Sequence, residues 1–262
     1  AILMLALGVG VVLRWKNTPV AWLVKMLGPD LLASAVLSLA LTLLADEFNG
    51  AALLVYFLSA WVVFAGVRDM LEKSRHKGLL KGMRGFSRSY WGMHMGHVGL
   101  AVCAIGVVLS SHYSSERDLK MNVGDRVELG KYGFVFEGAE HHEGPNYISD
   151  KGTIRVFKGD KEITTLHPEK RLYIVQSMPM TEAGIDPGFT RDLYVALGEP
   201  LENGAWAVRL QVKPFVRWIW LGALITSLGA VLAALDPRYR RKVRTKVQDA
   251  LKANKHEAAQ DV

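Results

Sequence analysis

A chain of 262 residues that is half apolar and yet 22% charged, with a slightly positive mean hydropathy, fits neither an ordinary soluble domain nor a disordered one unless the two residue classes are segregated along it. They are: the net charge of +7 sits mostly in clusters beside apolar runs, where basic residues read as membrane-topology determinants, and a nucleic-acid partner is excluded on that ground. The single cysteine, Cys103, excludes an intrachain disulfide, and without CxxC or CxxCH the chain is neither a dithiol oxidoreductase nor itself a c-type cytochrome.

Residues 1–13 form an apolar run that is followed, not preceded, by Arg14 and Lys16, the reverse of a signal peptide. The run reads as the tail of a membrane helix, and the chain is expected to be a piece of a longer protein or one half of a split one. A short basic connection with Arg14, Lys16 and Lys25 leads to two further apolar runs, 31–45 and 50–67, separated only by Asp46-Glu47-Phe48-Asn49. They read as a helical hairpin, the first needing residues 20–26 or the Phe48 region to reach the roughly 20 residues of a span. Residues 68–89 then carry Arg68, Lys73, Arg75, Lys77, Lys81, Arg84 and Arg88 against Asp69 and Glu72, which predicts a solvated cytoplasmic loop.

The next run, YWGMHMGHVGLAVCAIGVVLSS over residues 90–111, places Gly92, Gly96, Gly99, Cys103 and Gly106 in one narrow helical sector, a face for close packing. His94 and His97 fall on roughly the opposite side, beside Met93, Ala101 and Ala104. An ionisable group within a membrane helix costs about 2–3 kcal/mol, so it faces a partner, a cavity or a cofactor. Two roles stay open on the residues alone: hydrogen bonding to a carbonyl or a neighbouring helix, or axial ligation of haem iron by a neutral imidazole.

Over residues 111–213 the pattern changes to short β-like runs at 126–129, 134–140, 153–157, 162–166, 172–177, 192–197 and 205–213, with Gly159-Asp160 as a hairpin signal. His141 and His142 are adjacent and point apart on a strand, so a surface loop beside Gly144-Pro145 is preferred to a metal site; His112 and His167 are single histidines in the same domain. Thr181, Glu182, Arg191 and Asp192 read as a capped, salt-bridged turn, with partner docking as the alternative. Residues 214–236 are the last span, with Trp218 and Trp220 as an interfacial anchor, and 237–262 form a basic cytoplasmic tail. The expected fold is a polytopic α-helical membrane protein, with helices over residues 1–110 and an inserted all-β periplasmic domain, a sandwich or small barrel, over 111–213. No catalytic constellation is visible.

The segments SYWGMHMGHVGLAV, PMTEAGIDPGFTRDLYVALGE, ENGAWAVRL, KPFVRWIWLG and LDPRYRRKV, in this order and spacing, resemble the C-terminal part of the CcmF family, the haem lyase subunits of system I cytochrome c maturation; the NrfE paralogues are similar. The resemblance covers essentially the whole chain, and its most specific block runs from TEAGID to ALGE. It implies a multi-pass protein of the bacterial inner membrane that receives haem from a haem chaperone and joins its vinyl groups to the CxxCH thiols of apocytochrome c, with thiol-reducing subunits as further partners. It also implies that His97, at the histidine position of the motif YWGMxxxHxGLA, is one of two transmembrane ligands to a b-type haem, able to relay an electron to the substrate haem, with the other ligand outside this chain. His94 falls where the motif is variable and is not carried over. The family's tryptophan-rich WWD segment and two periplasmic haem-binding histidines belong upstream, so substrate haem is expected to bind parts missing here. Haem lyase (holocytochrome c synthase) activity is expected only of the complete protein or complex. Two other classes compete: a transporter fragment in which His94 and His97 line a proton or substrate path, which predicts inverted repeats or broken helices, and a scaffold that tethers the β-domain with inert helices.

Overall fold

The computed structural model describes residues 1–13, 18–45, 48–76, 78–175 and 178–238; the expectations for Arg14 and Lys16, for the Asp46-Glu47 corner and for most of the basic tail lie outside the described residues. Among the described residues, four helices are long and apolar enough to cross a membrane: α2 (Val20–Leu43), α3 (Gly50–Ser74), α5 (Arg88–His112) and α6 (Val216–Ala234). Shorter helices are α1 (Ile2–Gly10) and α4 (Leu79–Arg84), and all the strands lie in sequence between α5 and α6. The chain is thus a polytopic α-helical membrane protein carrying an inserted all-β domain. It divides into two compact units, Ala1–Ile105 with Trp220–Val262, and Gly106–Ile219.

In the helical unit, residues 20–26 complete the second span, and Pro29 is accommodated inside a continuous α2. Asn49 starts α3 by accepting hydrogen bonds from the Ala51 and Ala52 amides, at 2.9 and 3.0 Å. The buried stripe of α2 is polar: Asp30, Ser34, Ser38 and Thr42 recur every four residues on one face. Ser34 donates to the Asp30 carbonyl (2.7 Å) and Thr42 to the Ser38 carbonyl (2.8 Å), so these hydroxyls satisfy themselves within the helix. On α3, Trp61 is 2% exposed and donates from its indole to the Leu5 carbonyl of α1. The basic segment 68–89 is not an irregular loop throughout: Arg68–Ser74 are the last turns of α3, and α4 occupies Leu79–Arg84.

The small-residue face of α5 meets a matching face on α6. A Cβ added to Gly229 would lie 2.6 Å from the Gly92 carbonyl oxygen, and one on Gly222 would lie 2.5 Å from that of Gly99. The two backbones touch where side chains would hold them apart. At the far end of α6, Asp236 accepts hydrogen bonds from the Arg238 and Ser89 amides, which hold its carboxyl below the usual carboxylate range.

The β unit is a sandwich of two antiparallel sheets. One has the order β1 (Ser115–Met121), β10 (Trp206–Pro214), β9 (Arg191–Pro200), β8 (Gly184–Pro187). The other has the order β2 (Arg126–Leu129), β3 (Tyr132–Glu143), β4 (Tyr147–Lys158), β6 (Glu169–Tyr173), β7 (Met178–Glu182), with β5 (Lys161–Leu166) also paired to β4. Alternate residues of each sheet point inward, and Met121, Phe134, Phe136, Ile154, Val156, Leu193, Val195, Leu197, Val208 and Leu210 form one core. A bulge between Phe136 and Gly138 bends β3, and Gly138 supplies the positive φ of 124° that it needs. The β4–β5 hairpin turns at Gly159-Asp160, with Gly159 at φ 63°. The expected strand over 172–177 instead begins at Glu169 and ends at Tyr173, where the chain turns.

Gly229→Ala is expected to destabilise the helical unit by about 1–3 kcal/mol through backbone overlap. Gly96→Ala, whose Cβ would meet no atom within 4 Å, should be close to neutral. Thermal melting of the two variants in detergent distinguishes a packed seam from a merely glycine-rich helix.

Candidate functional site

Of the intramembrane histidines, His94 faces α3. On α3, Gly66, Asp69 and Lys73 share one face; on α5, Tyr90, His94 and His97 share another. A Cβ on Gly66 would lie 3.1 Å from His94 Nδ1, so the glycine makes room for that ring, which is 4% exposed. Asp69, 6% exposed, accepts hydrogen bonds at Oδ2 from the Tyr90 hydroxyl (2.6 Å) and from Lys73 Nζ (2.7 Å). His94 Nε2 faces the same oxygen at 3.6 Å, beyond hydrogen-bond length, and has no other polar partner. Tyr90 stacks edge-on against His94 with ring centroids 4.5 Å apart.

His97 is different. Its ring stands 6.4 Å from that of His94, centroid to centroid, and is only half-buried, yet Nδ1 is enclosed with no hydrogen-bond partner. Each imidazole thus has one enclosed ring nitrogen without a hydrogen-bond partner, His94 Nε2 and His97 Nδ1. The two differ in burial: His94 is seated against α3, whereas His97 is half-buried.

A second buried charge lies between α2 and α3. Arg68 of α3 makes a two-pronged contact with Asp30 of α2, both bonds at 2.6 Å, with the carboxylate side chain 8% exposed. The pair borders a cleft of about 750 Å³ whose walls include Phe64, Leu71 and Leu79. Sequence reasoning counted Arg68 and Asp69 only as members of a charge cluster. The missed signal was Asp30 itself, a lone carboxylate within an apolar run.

In the β unit, the distinctive block is not a single turn: Thr181 and Glu182 end β7, Arg191 and Asp192 start β9, and β8 lies between them. Arg191 pairs with Asp186 (2.5 Å) and donates to the Tyr132 hydroxyl (3.2 Å), while Asp192 accepts from the Gly188 amide (2.9 Å). Glu182 lies 3.6 Å from Arg171, and Thr181 reaches the Leu197 carbonyl. His141 ends in an exposed contact with Asp150 (3.5 Å), and His167 in one with Thr153 (3.4 Å). Among the described residues no three His, Cys, Asp or Glu side chains gather to hold a metal ion. Trp218 packs against Phe189 and Phe215, whereas Trp220 is 74% exposed.

A family model described as the CcmF C-terminal beta-sandwich matches residues 112–214. The chain is 67% identical over 251 residues to the cytochrome c-type biogenesis protein CcmF of Pseudomonas aeruginosa, covering 96% of this chain and 38% of that protein. It is 42% identical to CcmF of Escherichia coli (91% and 36%) and 30% identical to the cytochrome c-type biogenesis protein NrfE of Haemophilus influenzae (76% and 29%). A solved structure described as "Cytochrome c Heme Lyase CcmF" shares the fold with a TM-score of 0.74 at 19% identity, over 88% of this chain and 38% of that one. The chain therefore spans 29–38% of the length of these proteins.

The Asp30–Arg68 pair yields a test of its own. Arg68→Leu alone strands a buried carboxylate and is expected to cost about 3 kcal/mol, whereas Asp30→Leu with Arg68→Leu should recover most of that loss. A double-mutant cycle of thermal stability in detergent reads the difference.

Proposed function

Because the chain belongs to the CcmF family of cytochrome c-type biogenesis proteins, we propose that it is part of a cytochrome c haem lyase and supports covalent attachment of haem to the CxxCH thiols of apocytochrome c. It is a multi-pass membrane protein. In this reading the membrane is the bacterial inner membrane, the β-sandwich is periplasmic, and the basic residues between α3 and α5 and beyond α6 are cytoplasmic. The partners are a haem chaperone, apocytochrome c and thiol-reducing subunits, and the substrate haem is bound by parts of the complete protein beyond this chain.

His97 is the residue assigned to a b-type haem, with the second axial ligand outside this chain. The observation that supports the assignment is the difference in burial of the two imidazoles: His94 is 4% exposed and seated on Gly66 with Nε2 toward Asp69, while His97 is half-buried. The residues fit one side of a haem site, an imidazole on an apolar helix whose opposite face is occupied by α6. When bound, such a haem supplies one-electron chemistry. His97 contributes an imidazole donor from a continuous helix. The transporter alternative predicted broken helices; α2, α3, α5 and α6 are continuous.

The reduced-minus-oxidised spectrum of the full-length protein is the test. His97→Ala is expected to abolish a b-type band that His94→Ala retains. If both variants keep the wild-type spectrum, the assignment of this helix is wrong.

A further inference from the structure

We propose that Asp69 is a positioning residue whose charge sets the field at the His97 site, across the His94 ring; the inference rests on the haem reading above. The carboxylate is the buried end of an ion pair, with its side chain 8% exposed against 49% for Lys73. Tyr90 and Lys73 both donate to Oδ2, the oxygen that faces His94 Nε2 at 3.6 Å, and the His94 ring neighbours that of His97 at 6.4 Å. Gly66 closes the other side of His94, so the ring stays between the carboxylate and His97.

The two ends of the ion pair do not act equally. The buried negative end lies toward His94 in a medium that screens weakly, whereas the ammonium sits on a half-exposed side chain and is screened more. The field at His97 is therefore net negative. A negative field favours ferric over ferrous iron and lowers the reduction potential of a haem ligated there. A purely structural anchor would not require the charge, because a neutral amide could keep the Tyr90 hydrogen bond.

The test is potentiometric titration of the b-type absorption band in the haem-loaded, full-length protein purified from membranes. Asp69→Asn is expected to raise the midpoint potential, Lys73→Met to lower it, and Asp69→Glu to stay near wild type. Shifts of opposite sign are what a packing defect would not produce, and Lys73→Met carries the test if Asp69→Asn fails to accumulate. Unchanged midpoints, or shifts of one sign in Asp69→Asn and Lys73→Met, overturn the inference while the band itself keeps the haem reading standing. A band that is missing from the wild type, or that survives in His97→Ala, overturns both.

Discussion

An ionised side chain cannot be left alone among apolar helices, and most of what distinguishes the helical unit follows from how its charges are matched. Asp30 is answered by Arg68 across α2 and α3, and Asp69 by Lys73 within α3 and by Tyr90 across α3 and α5. These contacts are directional where the surrounding apolar packing is not. Burial of leucine and valine alone fixes neither the rotation nor the register of one span against the next. A two-pronged guanidinium–carboxylate contact fixes both, since a shift by one residue would leave a charge unpaired. The glycine seam between α5 and α6 adds a complementary constraint, a contact that only bare backbones can make.

The histidine site depends on this arrangement. His94 and His97 are equivalent by composition and nearly so by depth in the helix, and the sequence alone left both roles open. What separates them is α3: Gly66 leaves a recess, Asp69 supplies a charge, and together they occupy His94. His97 lies one turn further along and is only half-buried.

Elements with a strong one-dimensional signal were legible. The four spans show in hydropathy, the glycine face in its helical spacing, and the inner strands β3, β4, β9 and β10 in alternating apolar residues. Strand β1, SERDLKM, carried no such signal: it buries only Met121 and forms because β10 offers it a partner. β7 and β8 are also edge strands with little burial, specified by pairing and not by pattern. The ion pairs were hidden for another reason. Asp30 and Arg68 are 38 positions apart, and a sequence shows that charges exist without showing which of them meet.

The first and last strands of the sandwich are hydrogen-bonded partners, in register from Ser115 opposite Val212 to Met121 opposite Trp206. The domain's entry and exit are consequently side by side, as at the base of a hairpin. The closure entropy of the long excursion between them is met within the β unit itself, and it changes only slowly with the number of residues enclosed. Such an insertion is modular: it can lengthen, shrink or be exchanged during evolution as a single block, because its two attachment points keep the same separation.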